Sequence, residues 1–211
     1  MIFPDLFAEY KTLVDKADKA FKKMEGEYGH LIPCRIHCCD CCYAIFGLFL
    51  IEAIFLNHFF NNLNRKERRE AIIRSEKADA KMLQVKDKLN ETFPNDPKMQ
   101  IYGLGKQRAR CPLLDDKNEC VLYEHRPITC RLYGIPTSIN GKASVCGKTG
   151  FQKGIAYPTF DLDKVYRELY SLSKQLLQQS RCQNLGKATL LLSVSKTIKT
   201  SLTNLIKEEF E

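Results

Sequence analysis

The stretch PCRIHCCDCCY, residues 33–43, places five of the chain's ten cysteines within nine positions. Four more cysteines follow far downstream, and Cys182 stands alone beyond them. Thiolates are preferred ligands of zinc and of iron–sulfur clusters, so this density predicts a metal or iron–sulfur site built from two separate segments. The downstream cysteines of the second segment are Cys111, Cys120, Cys130 and Cys146.

Length and cysteine usage favour thiolate ligands over disulfides. With 211 residues, 44% of them apolar, the chain can bury one core, and we expect a single domain over residues 1–211. The cysteine-cluster core would span 34–150, with packing helices at 1–33 and 151–211. The opening residues MIFPDLFAEYK carry Asp5 and Glu9 where a signal peptide is continuously apolar. We therefore expect a cytoplasmic location, where disulfides are reduced.

The positive charge of the chain is compatible with a thiolate-rich site. Eight thiolate ligands would cancel the formal net charge of +8, because that value counts cysteines as neutral. A nucleic-acid partner would require aromatic side chains among the basic ones, and the most basic stretch, NRKERREAIIR at 64–74, has none. Glu67 and Glu70 also offset its charge. We expect no nucleic-acid partner.

Helical periodicity dominates both ends of the chain. Apolar residues recur on one helical face from Asp5 to Met24, and we expect Gly26 and Gly29 to end this helix. The window from Ala44 to Phe60 predicts a buried helix that is too short and too polar to cross a bilayer. The period returns at Asp161 and again over residues 187–210.

The middle of the chain combines a long polar helix with turn-rich segments. Asn64 is a predicted N-cap, with Glu67 three residues later, for a helix that runs to about Thr92. Residues 95–160 alternate short apolar runs with turn residues, including a hairpin signal at residues 140–141. The predicted fold is mainly α, with helices around an irregular cysteine-rich metal core and at most one or two small β-hairpins.

The spacing inside residues 33–43 leaves two geometries open. On a helix, Cys34, Cys38, Cys41 and Cys42 would share one face, whereas Cys39 would point about 100° away. Cys34 and Cys42 would then lie about 12 Å apart, too far for one zinc ion. Either the segment is a wrapped loop or it serves more than one metal centre. Two tetrahedral ions, two cubane clusters or one larger assembly would each use the predicted sulfurs.

Three further patterns carry less weight. The spacing Cys34-x3-Cys38-x2-Cys41 matches that of radical S-adenosylmethionine enzymes, but the repeated strand–helix barrel of those enzymes is not predicted here. Gly103 and Gly105 indicate a flexible turn rather than a cofactor loop. His37 and His125, which neighbour cysteines, could each replace a sulfur ligand.

The downstream segment resembles the YkgJ-like cysteine-cluster family, which is described as zinc- or iron-chelating. The resemblance rests on CPLL at 111–114, on CVLY at 120–123 and on RPITCR at 126–131. It implies a set of eight ligands: Cys34, Cys38, Cys41, Cys42, Cys111, Cys120, Cys130 and Cys146. The family usually has two residues between its first two cysteines, whereas three separate Cys34 from Cys38. The spacing thus leaves open whether Cys34 or Cys39 fills the first position.

The flanking arginines have a physical reason for a role at the site, and the resemblance narrows the function in part. Arg126 and Arg131 are predicted cofactor-binding residues, because each can donate charge-assisted hydrogen bonds to thiolates or to a bound anion. The leading hypothesis is a protein that holds iron–sulfur clusters, or iron or zinc ions, in redox or metal handling, with a possible protein redox partner. A distant similarity to the cysteine region of flagellin lysine N-methylase implies an alternative, an iron–sulfur enzyme that activates a small substrate or S-adenosylmethionine. A structural zinc module for protein interaction is the third hypothesis.

Overall fold

The computed structural model describes residues 3–35 and 37–207, and it is mainly α-helical, as predicted. The helices are α1 (Pro4–Tyr28), α2 (Leu50–Asn62), α3 (Arg65–Thr92), α4 (Pro97–Gly105), α5 (Ile128–Leu132), α6 (Leu162–Gln179), α7 (Val194–Lys199) and α8 (Leu202–Lys207). Three short strands, β1 (Thr137–Ile139), β2 (Lys142–Ser144) and β3 (Phe160–Asp161), form one sheet in the order β2–β1–β3.

Helix α2 is the centre of the core. Its apolar side chains are buried around the whole circumference, and it packs against α1, α6, α7 and α8. A buried helix was predicted over residues 44–60. The helix is indeed buried, but it begins later than predicted, at Leu50. Leu48 is held in a bridge to Leu192, with reciprocal N–O distances of 2.8 and 2.9 Å. This pairing keeps the preceding residues out of the helix and leads them towards the cysteine-rich segment.

Helix α1 lies across the centre and contacts α5 and α6. The predicted amphipathic face is confirmed, with Leu6, Tyr10 and Leu13 among its buried residues. Of the two glycines predicted to end the helix, Gly29 is its C-cap, whereas Gly26 lies inside it because the helix continues to Tyr28. A glycine inside a helix lowers the stability of the helix by only about 1 kcal/mol relative to alanine, and the packing of the other α1 side chains offsets this loss.

Helix α3 begins as predicted, and α4 is an element that the sequence analysis missed. The Asn64 side chain accepts a hydrogen bond from Glu67 N at 3.0 Å. In α4 the Asp96 side chain accepts from Met99 N at 3.1 Å, with a proline in the first turn. These start signals are in the sequence. Gly103, which was predicted to lie in a flexible turn, lies within α4.

The predicted hairpin at residues 140–141 joins β1 to β2. Asn140 and Gly141 have φ values of 50° and 71°, the left-handed pair that a tight two-residue hairpin requires. Strand β1 also pairs in parallel with β3, which was not predicted because β3 has only two residues. The β3 residue Asp161 then caps α6 by accepting hydrogen bonds from Asp163 N and Lys164 N.

The helical period predicted over residues 187–210 corresponds to short helical pieces instead of one helix. A 3₁₀ turn at Leu185–Thr189 precedes α7 and α8, and Ser193 caps α7. Phe210, at the end of the predicted segment, lies outside the described residues. Among the described residues, every helix is too short or too polar to cross a membrane.

Glu52 is a buried carboxylate that joins α2 to α5. Its side chain accepts hydrogen bonds from Phe49 N at 3.2 Å and from Ile128 N at 3.1 Å, and it also bonds the Tyr10 hydroxyl. Burial raises the pKa of Glu52 to about 7, although these hydrogen bonds oppose the rise. Ile128 opens the helix that carries Cys130, so Glu52 positions one of the predicted ligands.

We predict that Glu52 makes the protein less stable as the pH rises from about 4.5 to about 7. Because the pKa of Glu52 is higher in the folded state, the folded protein binds this proton more tightly than the unfolded chain does. The resulting contribution to the free energy of unfolding is fully present below the pKa of the unfolded state, and it is lost as the pH rises through the pKa of the folded state. The loss should reach about 3 kcal/mol. In urea unfolding at pH 5 and pH 7.5, Glu52→Gln should show a smaller pH difference than the wild type. The exposed Glu70→Gln variant is the control, and an unchanged pH difference in Glu52→Gln would contradict the assignment.

Candidate metal centre

The two cysteine-rich segments meet through backbone hydrogen bonds. Cys111 N donates to Cys42 O at 2.7 Å, and Ala109 N donates to Tyr43 O at 3.0 Å. Ala44 forms an antiparallel bridge with residue 108 in the same ladder. This contact sets Cys111 beside Cys42, across nearly seventy positions of sequence.

The first segment is a wrapped loop that ends in one 3₁₀ turn, Asp40–Tyr43. Cys38 N donates to Arg35 O at 2.9 Å, and His37 has a φ of 73°, which reverses the chain between Cys34 and Cys38. Of the two geometries left open by the spacing, the wrapped loop is therefore the one observed. On an α-helix Cys39 would point away from the other four cysteines, but residues 34, 35 and 37–39 are not helical, so that prediction does not apply.

A tight hairpin presents Cys120. Leu114 and Cys120 form an antiparallel bridge, and Asp115 N donates to Glu119 O at 2.9 Å. The Asp115 side chain closes the turn by accepting from Glu119 N at 2.8 Å, and Asn118 takes a left-handed φ of 62°. The turn residues predicted at 115–118 thus serve to place Cys120 near Cys111.

Five cysteines line one small cavity, and we call them the five-thiol group: Cys41, Cys42, Cys111, Cys120 and Cys130. The cavity has a volume of about 110 Å³, and its remaining wall is mostly apolar. Within the group, the thiols of Cys130 and Cys42 both donate hydrogen bonds to the sulfur of Cys41. Cys41 is therefore the common neighbour of thiols from both segments.

Protonation within the five-thiol group is uneven. The hydrogen bonds from Cys130 and Cys42 lower the pKa of Cys41, and the same bonds, together with burial, raise the pKa of Cys130 and of Cys42. Burial, followed by the nearby Cys120, raises the pKa of Cys111 to about 12. Metal ligation requires thiolates, so binding here must release protons and should strengthen as the pH rises.

The other three predicted ligands form a second set, the three-thiol group of Cys34, Cys38 and Cys146. Burial, followed by the neighbouring thiols of Cys38, Cys146 and Cys41, raises the pKa of Cys34 to about 12. Cys146 Sγ in turn lies 3.4 Å from Asp40 Oδ2. The three thiols and Asp40 line a basin of about 580 Å³, which Cys41 and Cys130 also reach. Each group thus draws sulfurs from both segments of the chain.

A family model described as "CxxCxxCC: Putative zinc- or iron-chelating domain" matches residues 33–147. The chain belongs to this CxxCxxCC family. The match covers more than half of the chain and includes all eight predicted ligands, whereas Cys182 lies outside it. No curated protein and no solved structure matched the chain, and the similarity to flagellin lysine N-methylase is not shown.

The CxxCxxCC spacing is only partly present. Cys38, Cys41 and Cys42 stand at the spacing of its last three cysteines, but Arg35 occupies the position of the first. Cys34 lies one residue before that position. The left-handed backbone at His37 turns the chain there, and the thiol of Cys34 neighbours that of Cys38. Cys39 lines a third cavity of about 370 Å³, which Cys38, Cys41, Cys42 and Cys120 also line.

The two predicted arginines of the CxxCxxCC region have different surroundings. Arg126 lies over the Tyr123 ring at 3.5 Å, borders the cavities of both thiol groups, and contributes to the lowered pKa of Cys41 after the hydrogen bonds that this thiol accepts. Arg131 also lines the basin, but its guanidinium donates to Asp18 Oδ2 at 2.8 Å and to Arg126 O at 2.8 Å. Arg131 therefore ties the Cys130 helix to α1.

The histidines considered as sulfur replacements have other contacts. His125 stacks on Phe59 with ring centroids 3.5 Å apart and 9° between the planes. His37 Nδ1 lies 3.5 Å from Glu119 Oε1 at the rim of the cavity that Cys39 lines. Among residues 3–35 and 37–207, no three His, Cys, Asp or Glu side chains converge as a site for one ion. The assignment of individual ligands stays a prediction.

Gly134 makes room for Cys34. A Cβ at this position would overlap Cys34 Sγ and would lie 3.4 Å from Phe21. Gly134 follows the helix of Cys130, so the glycine lets the thiol of the first segment pack directly against the second. The sequence contained no signal for this role, because the close approach arises only from the packing of distant segments.

We predict that Gly134→Ala destabilises the protein by about 1–3 kcal/mol, because the added methyl group must displace Cys34 Sγ. Guanidinium unfolding under reducing conditions measures the effect. Gly26→Ala is the matched control, since nothing lies within 4 Å of its added Cβ. A helical alanine there should be neutral or stabilise by up to about 1 kcal/mol. Equal stability of the two variants would show that Cys34 does not pack against Gly134.

Proposed function

We propose that the chain holds an iron–sulfur cluster or clusters, or zinc or iron ions, through its eight cysteine thiolates, and that it serves in redox or metal handling. The observation that carries this proposal is the five-thiol group, in which thiols from two distant segments face one cavity around Cys41. Membership of a chelating family supports metal binding in the same region.

The donor chemistry fits these metals. Thiolate sulfur is the ligand that zinc and iron–sulfur clusters share, and four thiolates satisfy either a tetrahedral ion or a cubane cluster. When bound, a cluster supplies electron transfer, and a zinc ion supplies a structural crosslink or a Lewis acid. The protein's own contribution is to shield the sulfurs with an apolar wall and to place the Arg126 charge beside Cys41.

The contacts favour Cys34 over Cys39 as the first ligand. Cys34 neighbours Cys38 and Cys146 in the basin and packs against Gly134 of the second segment, whereas Cys39 lines the third cavity at the edge that His37 and Glu119 share with Cys38, Cys41, Cys42 and Cys120. The proposed ligand set therefore keeps the eight cysteines implied by the family resemblance.

An enzyme is the second candidate, and a specific observation favours it. The cavity of the five-thiol group is bordered by apolar residues such as Ile45, Phe46 and Leu122, which leaves a space for a small apolar substrate against the sulfurs. A catalytic centre needs a coordination position that the protein does not fill, whereas a structural zinc module uses four protein ligands for each ion.

Anaerobic purification followed by metal analysis and electron paramagnetic resonance separates these possibilities. A brown protein with several irons per chain supports the cluster, and a colourless protein with about two zinc ions supports zinc binding instead. A protein without bound metal, which also takes up neither iron and sulfide nor zinc, would refute the proposed function.

We predict that Cys130→Ser loses most of the bound metal, because its thiol lies among the five that face one cavity. Cys182→Ser is the matched control: Cys182 Sγ lies 3.7 Å from Ile206 O, at the C-terminal end of α6 and outside the family region. This variant should keep wild-type metal content. Metal per chain after gel filtration is the measurement, and full retention of metal by Cys130→Ser would refute the ligand assignment.

A further inference from the structure

We propose that the groove between α3 and α4 is a docking site for an acidic amphipathic helix of a partner protein. The groove lies along residues 81–93 on one side and residues 99–107 on the other. All eight proposed ligand cysteines lie elsewhere, so docking itself does not require a bound metal. The inference therefore goes beyond the proposed function.

The floor of the groove is a small apolar cluster that stands apart from the main core. Val85 and Leu89 of α3 are only 6% and 8% exposed, yet neither belongs to the contiguous core that α1, α2 and α6 share. Gly103 of α4 packs directly on Leu89, since a Cβ at Gly103 would lie 2.6 Å from Leu89 Cδ2. Above this floor the two helices border a cavity of about 570 Å³.

The walls of the groove expose apolar side chains to solvent. Met99 and Tyr102 line the groove and are 37% and 57% exposed, and Leu83 and Ile101 are exposed on the same two helices. Apolar side chains that are grouped on one surface and bordered by charges mark interaction sites in soluble proteins, and tyrosine is a frequent anchor of such sites. We therefore interpret this surface as one that a partner covers.

The charge along the groove is positive. Among the described residues, its lining includes Lys81, Lys88 and Lys106 but no carboxylate, because Asp87 and Glu91 of α3 lie outside the lining. None of the ion pairs within residues 3–35 and 37–207 includes Lys81 or Lys88. Lysines without a carboxylate partner, beside an apolar surface, complement a segment that carries carboxylates next to its apolar residues.

The shape of the groove suits a helix better than a small ligand. Its α3 wall extends from Lys81 to Thr92, which is about 16 Å at a rise of ~1.5 Å per residue. The lining positions recur every three or four residues on both helices, so each helix presents one face to the groove. A helix with apolar residues at the same spacing fits such a groove.

One end of the groove adjoins the cavity of the five-thiol group. Met82, the neighbour of Lys81 on α3, lines that cavity, and so do residues 109–111, which follow Gln107 of the groove. A docked helix would therefore have one end beside the proposed metal centre. This position suits a partner that exchanges metal or electrons with the centre, a role that rests on the proposed function.

The first test identifies the occupant. The full-length protein carries the photo-crosslinking residue benzoylphenylalanine in place of Thr92, an exposed position that lines the groove. After irradiation in the cells that naturally make the protein, mass spectrometry identifies the crosslinked segment. We expect a segment of another protein, with apolar residues at helical spacing and carboxylates beside them. A segment without carboxylates, a second copy of this chain, or no crosslinked protein overturns the proposal.

The second test measures the affinity of a synthetic peptide of the captured segment by fluorescence anisotropy. Lys88→Glu should weaken binding by more than about tenfold, because a carboxylate would then face the carboxylates of the peptide. Tyr102→Ser should also weaken binding by more than about tenfold, because it removes an apolar anchor. Circular dichroism of both variants should match that of the wild type, since both side chains are exposed.

Lys86→Glu is the matched control, because it reverses a charge on the exposed surface of α3 but lies outside the lining of the groove. Its affinity for the peptide should equal that of the wild type. Equal losses in Lys86→Glu and Lys88→Glu would show that the peptide is attracted only by the overall positive charge, and they would overturn the proposal. Binding to vesicles of phosphatidylcholine and phosphatidylglycerol that Lys88→Glu abolishes and Lys86→Glu retains would assign the groove to a membrane instead.

Failure of this proposal is distinguishable from failure of the proposed function. If the wild type binds metal but its affinity for the peptide is the same in Lys88→Glu and Tyr102→Ser, the docking site is refuted and metal binding stands. If the wild type binds no metal but its affinity for the peptide depends on Lys88 and Tyr102, the proposed function falls and the docking site stands.

Discussion

The cysteine-rich region depends on one backbone contact, the hydrogen bond from Cys111 N to Cys42 O with the short ladder around it. The wrapped loop of the first segment has few hydrogen bonds of its own, and the second segment consists of turns and short helices. Pairing the two backbones satisfies polar groups that would otherwise be buried without partners. It also brings thiols of both segments to the same cavities.

The helices hold this pairing in place through two carboxylate contacts, one of them buried. Glu52, from the central helix α2, accepts the first backbone N–H of α5, and Asp18, from α1, pairs with Arg131 at the other end of that helix. The five-residue helix α5 is too short to be stable alone, so its position comes from these contacts. Cys130 thus reaches the five-thiol group because α1 and α2 fix the helix that carries it.

Sequence patterns were sufficient for the long elements and for the location of the site. The amphipathic periods of α1 and α6, the Asn64 cap of α3 and the hairpin at residues 140–141 were all predicted, because each is specified by neighbouring residues. The start of α2, the parallel pairing of β3 and the breaks after residue 187 were not predicted. Each depends on a partner far away in the chain, such as Leu192 for Leu48.

By itself, the sequence determined the mainly α fold class and the presence of two cysteine-rich segments. It also determined membership of a chelating family, with eight candidate thiolates. Only the tertiary structure decided which thiols share a cavity, and each of the two cavities takes cysteines from both segments. The physical reason is that a wrapped loop has no fixed period from which side-chain directions follow. Its sulfurs are oriented by contacts with distant residues, among them Gly134, Asp40 and Cys111.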